Sequence, residues 1–199
     1  MRGINVRDLG YVTVIAGIVV VGAGCGSPAP GGAAASDPVA SESNPPGDIP
    51  DDQVFVPFAP DSGLFTVSVP EGWARSSDGD AVVFTDKLNS VRIETVAAAT
   101  APDVASATSV EVPAIEATAT DYTAGDVTIV TRTAGDAVLI TYGALSDPDP
   151  VTGKTTTDAV QRYEFWREGQ EAILTLSGPD GADNVDPWRT VTDSFTWTD

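Results

Sequence analysis

Residues 159–177 read AVQRYEFWREGQEAILTLS, and this stretch decides the fold. Two runs within it, 159–167 and 171–177, alternate apolar and polar residues with the two-residue period of a β-strand. Glu168-Gly169-Gln170 lies between the runs and has the length and composition of a hairpin turn. We therefore expect two adjacent antiparallel strands here, and a sheet built outward from them.

Further strands are expected on both sides of this hairpin. In Gly63–Pro70 the residues Phe65, Val67 and Val69 share one face, which is again the strand period. Alternating or short apolar runs predict four more strands, at 81–85, 91–97, 127–130 and 138–145. The turn residues 86–90 join two of these as a hairpin, whereas the proline-rich stretch 146–154 must loop out of the sheet.

Two helices are predicted between and after the strands. The first covers 108–120, with Pro113 near its first turn and Val110, Ile115 and Ala119 facing inward. The second begins with Asp186 as N-cap and Pro187 at the first helical position. Its apolar face comprises Trp188, Val191 and Phe195. The order strands, helix, strands, helix predicts an α+β fold with an antiparallel sheet and helices packed on it.

Composition excludes several kinds of chemistry. The 199 residues contain no histidine and one cysteine, so catalytic triads with a histidine base, histidine-ligated zinc and intramolecular disulfides are excluded. The net charge of −19 repels phosphate backbones, and we expect no nucleic-acid partner. No cofactor-binding pattern is present, and none of the residue patterns predicts a catalytic or metal-binding site.

The first 25 residues predict export and a lipid anchor. Arg2 and Arg7 precede a nearly uncharged run, 9–24, which is shorter than the ~20 residues that span a bilayer as a helix. The run ends VGAGCG, which resembles the lipobox of bacterial lipoproteins, with Gly22 where that motif usually carries Leu, Val or Ile. The resemblance implies a signal peptide at 1–24 and lipidation of Cys25, which would hold the protein at the outer face of the cytoplasmic membrane. A permanent transmembrane helix is the alternative.

A linker separates this cysteine from the folded part. Residues 25–52 consist of the lipidated cysteine and a stretch rich in Pro, Gly, Ala and Ser, which is predicted to be disordered. The folded domain is expected at 53–199. Removal of residues 1–24 would leave 8 basic and 28 acidic side chains, a net charge of −20.

Short motifs in the domain resemble the PsbP-like family. They are Phe65-x-Val-x-Val-Pro70-x-Gly72-Trp73, then Val83-Phe84-x-Asp86, and then the closing segment from Trp188 to Phe195. The resemblance covers residues 54–199 and is closest to actinobacterial envelope lipoproteins of the LpqN type. It implies an α-β-α sandwich and a non-catalytic accessory or binding module with a protein partner. It implies no catalytic residues and leaves the oligomeric state open.

Three alternatives to a protein-binding module stay open at this point. Aromatic residues could line a pocket for a small apolar ligand or lipid: Trp73, Phe84, Tyr163, Phe165, Trp166 and Trp188. Paired carboxylates could support a hydrolase. The loop 180–186, or Asp147 with Asp149, could hold calcium, although turn formation and helix capping explain these residues more simply.

Overall fold

Seven antiparallel strands form the main sheet of this computed structural model, which describes residues 45–149 and 151–198. The strands are β3 (Ala74–Asp78), β4 (Ala81–Asp86), β5 (Asn89–Ala97), β6 (Thr120–Arg132), β7 (Gly135–Leu145), β8 (Thr157–Arg167) and β9 (Gln170–Pro179). Their order in the sheet is β3-β4-β5-β9-β8-β7-β6. The predicted signal peptide, Cys25 and residues 26–44 of the predicted linker lie outside the described residues.

Both faces of the main sheet are covered. A small antiparallel sheet in the order β1-β2-β10, from Phe55–Phe58, Phe65–Pro70 and Thr196–Trp197, packs on one face together with α3 (Val185–Asp193). The other face is covered by a helical segment made of α1 (Val104–Ser106), a π-helical turn (Ala107–Glu111) and α2 (Val112–Thr118). The predicted α+β class with an antiparallel sheet and packed helices is confirmed.

The hairpin that decides the fold forms as predicted. β8 and β9 pair from Asp158↔Pro179 to Arg167↔Gln170, leaving a two-residue turn, Glu168-Gly169. Both turn residues have positive φ, 50° and 85°, as a type I′ turn requires. The β4–β5 hairpin is likewise confirmed.

The two faces carry separate apolar clusters. On the α3 face, seventeen buried apolar residues form the main core, with Phe165 stacked on Phe195 at 4.3 Å between ring centroids. On the α2 face, a smaller cluster joins Ala107 of the helical segment to Val138 and Ile140 of β7. Alternation along β7 explains the division, since Ala137 and Leu139 face the first cluster.

The first helix differs from the prediction at its start and in its inward face. It begins at Val104 because Asp103 and Ser106 form a capping box, four residues earlier than expected. Val110 is wrong as an inward residue, being 61% exposed, whereas Ile115 does pack against the α2-face cluster. Pro113 has no N–H to donate, and the π-helical turn directly before it accommodates that loss.

The last helix also begins earlier than predicted. Its N-cap is Asn184 and its first residue is Val185, so Asp186 is not the N-cap and Pro187 is the third helical residue. The side chain of Asn184 does not cap the helix but bonds to Gly47, Ile49 and Asn89, and these bonds fix Asn184 directly before the helix. Trp188, Val191 and Phe195 are all buried, as the apolar pattern predicted, although Phe195 follows the helix.

Candidate binding surfaces

A strap of residues, defined here as 45–50, enters the domain through a buried amide pair. The carbonyl of Gly47 accepts from Nδ2 of Asn89 at 2.9 Å and from Nδ2 of Asn184 at 3.0 Å. Oδ1 of Asn184 accepts from the N–H of Ile49 at 2.8 Å, and Nδ2 of Asn184 also donates to Oδ1 of Asn89 at 2.9 Å. These bonds fix residues that belong to the predicted linker onto the domain.

Shape and burial fix the strap as well. Ile49 is 5% exposed and joins the main core. Gly47 has a φ of +99°, and a Cβ there would lie 2.7 Å from Cδ of Pro179, so this position requires glycine. Oδ1 of Asp48 accepts from the N–H of Asp183 at 2.9 Å. The loop 180–186 is thus used to hold the strap.

A cleft of about 340 Å³ lies between the strap and the β4–β5 hairpin. Its wall opposite the strap includes Trp73, Asp86, Lys87 and Asn89. Trp73 is half-buried against the main core, and Lys87 is exposed with Asp86 3.5 Å away. Its walls are mixed polar and apolar, and no buried charge points into it from the residues that line it.

A second, more apolar groove of about 370 Å³ lies on the α3 face across β6, β7 and β8. Small residues form its floor: Gly143 pairs with Ala159 in the neighbouring strand and with Thr123 on the other side. Gln161 and Asp180 also line the groove. Asp158 belongs to the same strand as Ala159 but points to the opposite face, and burial raises its pKa. Because the floor lacks bulky side chains, the backbone is accessible there.

A charged cluster lies on the α2 face under the helical segment. Nε of Arg162 lies 2.9 Å from Oε1 of Glu164, and other guanidinium nitrogens lie 3.8 Å from Glu94 and 3.7 Å from Glu111. Arg92 extends the cluster, with Nη2 3.1 Å from Oε1 of Glu94. The hydrogen bond to Glu94 is the largest factor that raises the pKa of Arg92.

Two carboxyl groups of this region are held toward their neutral form. The Glu164 side chain has no exposed surface and its Oε2 has no hydrogen-bond partner; burial raises its pKa, against the opposing effect of Arg162. Burial, followed by the charge of Glu164, raises the pKa of Glu171 to about 7. Proton uptake by Glu171 therefore changes the charge of the α2 face near neutral pH.

The aromatic residues proposed as pocket lining mostly belong to the core. Phe84, Tyr163, Phe165 and Trp188 are buried in it. Trp166 is half-buried on the α2 face and donates from Nε1 to the carbonyl of Ala98 at 2.8 Å. Of the set, Trp73 lines the strap cleft.

The proposed calcium ligands serve turns and contacts within the fold. Oδ1 of Asp149 accepts from the N–H and the hydroxyl of Thr152 and from the N–H of Val151, and these bonds lower its pKa. Among residues 45–149 and 151–198, no three acidic or cysteine side chains gather as a metal site. That part of the chain also contains no helix that is long and apolar enough to cross a bilayer.

Sequence reasoning missed the strap and its amide pair. Asn89 was assigned to a hairpin turn and Asn184 to the loop 180–186 before the last helix, yet both are at most 6% exposed. Cys25, the predicted lipidation site, lies outside the described residues. The signal that could have indicated the strap is the apolar Ile49 between two prolines in an otherwise polar stretch.

No protein-family model matches this chain, and no curated protein matches it. It is similar to several solved structures. The cyanobacterial PsbP protein CyanoP from Synechocystis sp. PCC 6803 has a TM-score of 0.49 and 15% identity, over 76% of this chain and 98% of that one. LpqN, described as involved in cell envelope biogenesis of Mycobacterium tuberculosis, has a TM-score of 0.42 and 15% identity, over 75% and 93%.

A Bacteroides thetaiotaomicron protein is also similar, with a TM-score of 0.46 and 10% identity over 72% of this chain. The present chain spans about half of that protein, 48%. The similar structures thus include a PsbP protein and LpqN, the two groups that the sequence motifs resemble. Identities and TM-scores this low carry no information about partners or activity.

Proposed function

We propose that this protein is an exported lipoprotein, anchored through lipid on Cys25 at the outer face of the cytoplasmic membrane, and that its domain is a non-catalytic binding module. The observation that supports the proposal most is the strap. The chain reaches the domain through residues 47–49, where the buried amides of Asn89 and Asn184 hold it. The linker would therefore be attached directly to the core of the domain through these buried bonds.

The length of the proposed linker sets how far the domain would lie from the anchor. Residues 26–44 lie between the proposed anchor and the strap, and a flexible chain of that length has an end-to-end distance of ~25 Å. Two or more acyl chains on Cys25 would hold the protein on the bilayer, because each buried methylene contributes ~0.8 kcal/mol. The domain would then be available to partners close to the membrane surface.

We propose a protein with a basic surface as the partner. The chain from Cys25 onward carries a net charge of −20, which attracts cationic surfaces and speeds their association. The charge is also compatible with a domain that only needs solubility, so the partner must be tested directly. Proximity labelling from the anchored protein should mark a small set of basic proteins. Equal labelling by a domain of unrelated sequence on the same anchor would contradict a specific partner.

A small apolar ligand is the second candidate, because the α3-face groove has the size and lining for one. Ligand sites usually measure ~300–1,000 Å³ and are mostly apolar. Gly143→Leu would fill the floor of the groove beside Thr123, whereas Thr155→Leu adds the same side chain at an exposed position outside the groove. Native mass spectrometry of protein purified from its own membrane should then show bound ligand for the parent and for Thr155→Leu, but not for Gly143→Leu. No added mass in the parent would contradict the ligand hypothesis.

The anchor itself is tested by the intact mass of the protein extracted from membranes. We expect the mass of residues 25–199 plus a diacylglyceryl group and an amide-linked acyl chain. The mass of an unmodified chain that still begins at Met1 would contradict the proposal.

A further inference from the structure

β6 is the last strand of the main sheet, and within residues 45–149 and 151–198 it pairs only with β7. It is thirteen residues long, and most of its residues are exposed. Open edges of this length are usually interrupted by charges, prolines or a covering segment, since their free N–H and C=O groups can pair with another strand. The opposite edge, β3, follows that rule: it has five residues, including Arg75 and Asp78.

The second half of β6 is suited to pairing. Two register shifts lie before Val127, but from Val127↔Ile140 to Arg132↔Gly135 the ladder is regular. Residues 127–131 read VTIVT, which contains no charge, proline or glycine and consists wholly of strand-favouring residues. This is the flat, uncharged kind of edge that accepts another strand.

Exposed apolar side chains lie beside this edge. Ile129 is 49% exposed and shares the α2 face with Val127, which packs on the α2-face cluster. Val104, at the start of the helical segment that lies against β6, is 38% exposed. Together they form an apolar border that an added strand would cover.

We propose that β6 pairs antiparallel with β6 of a second copy of this chain, about a two-fold axis at Ile129. This register places Ile129 beside its own counterpart and Val127 opposite the second copy's Thr131. It also places Arg132 opposite the second copy's Asp126, twice in the dimer. Any other register loses that pairing of opposite charges. The result is a continuous fourteen-stranded sheet.

Charge supports a second copy at this edge. Two molecules with a formal charge of −19 or −20 repel each other over most of their surfaces. Residues 127–132 contain one arginine and no acid, so repulsion between two copies is weaker along this part of the edge than at acidic parts of the surface. Arg132 also bonds Thr192 and Tyr163 and lies 3.5 Å from Asp193 of its own chain, so its guanidinium is held on the α3 face with its side chain 15% exposed.

Cross-linking tests the register. The chain from residue 26 onward contains no cysteine, and Ile129→Cys places one thiol on the proposed axis. Directly opposite residues in antiparallel strands have Cα atoms ~4.5–5.5 Å apart, within the range of a disulfide. Mild oxidation should link most of the Ile129→Cys protein into covalent dimers. Thr131→Cys, which faces Val127 rather than itself, should link at least about tenfold more slowly. Equal linkage by both, or by neither, would overturn the register.

Sedimentation of the same chain tests the dimer itself. The parent should sediment as a dimer, with a dissociation constant that falls as salt screens the repulsion between the acidic surfaces. Ile129→Lys places two positive charges together on the axis and should weaken dimerisation by at least about tenfold. Val151→Lys adds the same charge at a 90% exposed position away from β6 and should leave it unchanged. A parent that is monomeric at every salt concentration, or equal effects of the two variants, would overturn the proposal.

Discussion

Asn184 donates from its side-chain amide to Oδ1 of Asn89 at 2.9 Å, and this buried bond joins residues 95 positions apart. The two amides together hold the carbonyl of Gly47, so a β-hairpin, the start of the last helix and the incoming chain meet at one point. Each amide would be left with unsatisfied polar atoms if the other were removed. This mutual dependence makes the pair a sensitive test of how the linker joins the domain.

Asn184→Ala should destabilise the domain by about 2–4 kcal/mol, because Oδ1 of Asn89 and the N–H of Ile49 lose their partners and the carbonyl of Gly47 loses one of two. Urea unfolding measures the change. Thr190→Ala removes a side chain from the exposed side of the same helix and should change stability by at most about 0.5 kcal/mol. Proteolysis within residues 45–50 should also become faster in Asn184→Ala. Equal stability of the two variants would show that the amide pair does not hold the strap.

Gly178→Ala and Gly143→Ala compare a closed and an open position in adjacent parts of the same sheet. A Cβ at Gly178 would overlap Oδ1 of Asn89 and lie 2.8 Å from Nδ2 of Asn184. At Gly143 the nearest atom, Cβ of Thr123, is at 3.5 Å, an ordinary contact. We expect Gly178→Ala to cost about 1–3 kcal/mol by overpacking and Gly143→Ala to cost much less. Thermal unfolding of both proteins gives the comparison, and the reverse order would contradict the packing described here.

Arg162→Met should destabilise the domain by about 3–5 kcal/mol at neutral pH, because it leaves the fully buried carboxyl of Glu164 without its cation. Arg189→Met is the matched control, since that guanidinium is 68% exposed and pairs with Asp193 on the helix surface. Adding Glu164→Gln to Arg162→Met should restore much of the lost stability. Chemical unfolding of the three variants tests this, and no gain from the second substitution would contradict the assigned pairing.

Stability should decrease as pH rises from about 4.5 to 7, through the contribution of Glu171. Its folded-state pKa of about 7 lies above the ordinary 4.5, so the folded protein binds a proton that the unfolded chain releases in this range. Glu171→Gln should therefore be more stable than the parent at pH 8, and the difference should shrink at pH 4. Glu116→Gln, at an exposed helix position, retains Glu171 and should therefore follow the parent at both pH values. Melting temperatures of the three proteins at the two pH values test this prediction. The same change in melting temperature between pH 4 and pH 8 in all three proteins would contradict it.

The sequence pattern predicted the strands that bury one face and failed where burial is weak. β8 and β9 alternate clearly because Tyr163, Phe165, Leu174 and Leu176 enter one core. β3 reads ARSSD and is exposed throughout, so no large apolar residue indicated a strand there. β1 is only four residues long and contains Pro57, a residue that disfavours a strand. The first half of β6 was missed for the same reason, since residues 120–126 are almost entirely exposed.

Polar contacts over long sequence distances were beyond local patterns. The pair Asp186-Pro187 favoured a helix start at that place, but the position of Asn184 is determined by its bonds to residues 47, 49 and 89. The charged cluster under the helical segment joins Glu94, Glu111 and Arg162 from three separate elements. The resemblance of short motifs did indicate the correct layers, because their apolar positions, such as Phe65, Phe84 and Trp188, lie in the core.

Detergent-phase partitioning, combined with fatty-acid labelling of the whole chain in an exporting bacterium, tests the central claim most directly. We predict that the parent takes up the label and enters the detergent phase, whereas Cys25→Ala takes up none and enters the aqueous phase with its domain still folded. A Cys25→Ala protein that is labelled and partitions like the parent would contradict attachment through that cysteine.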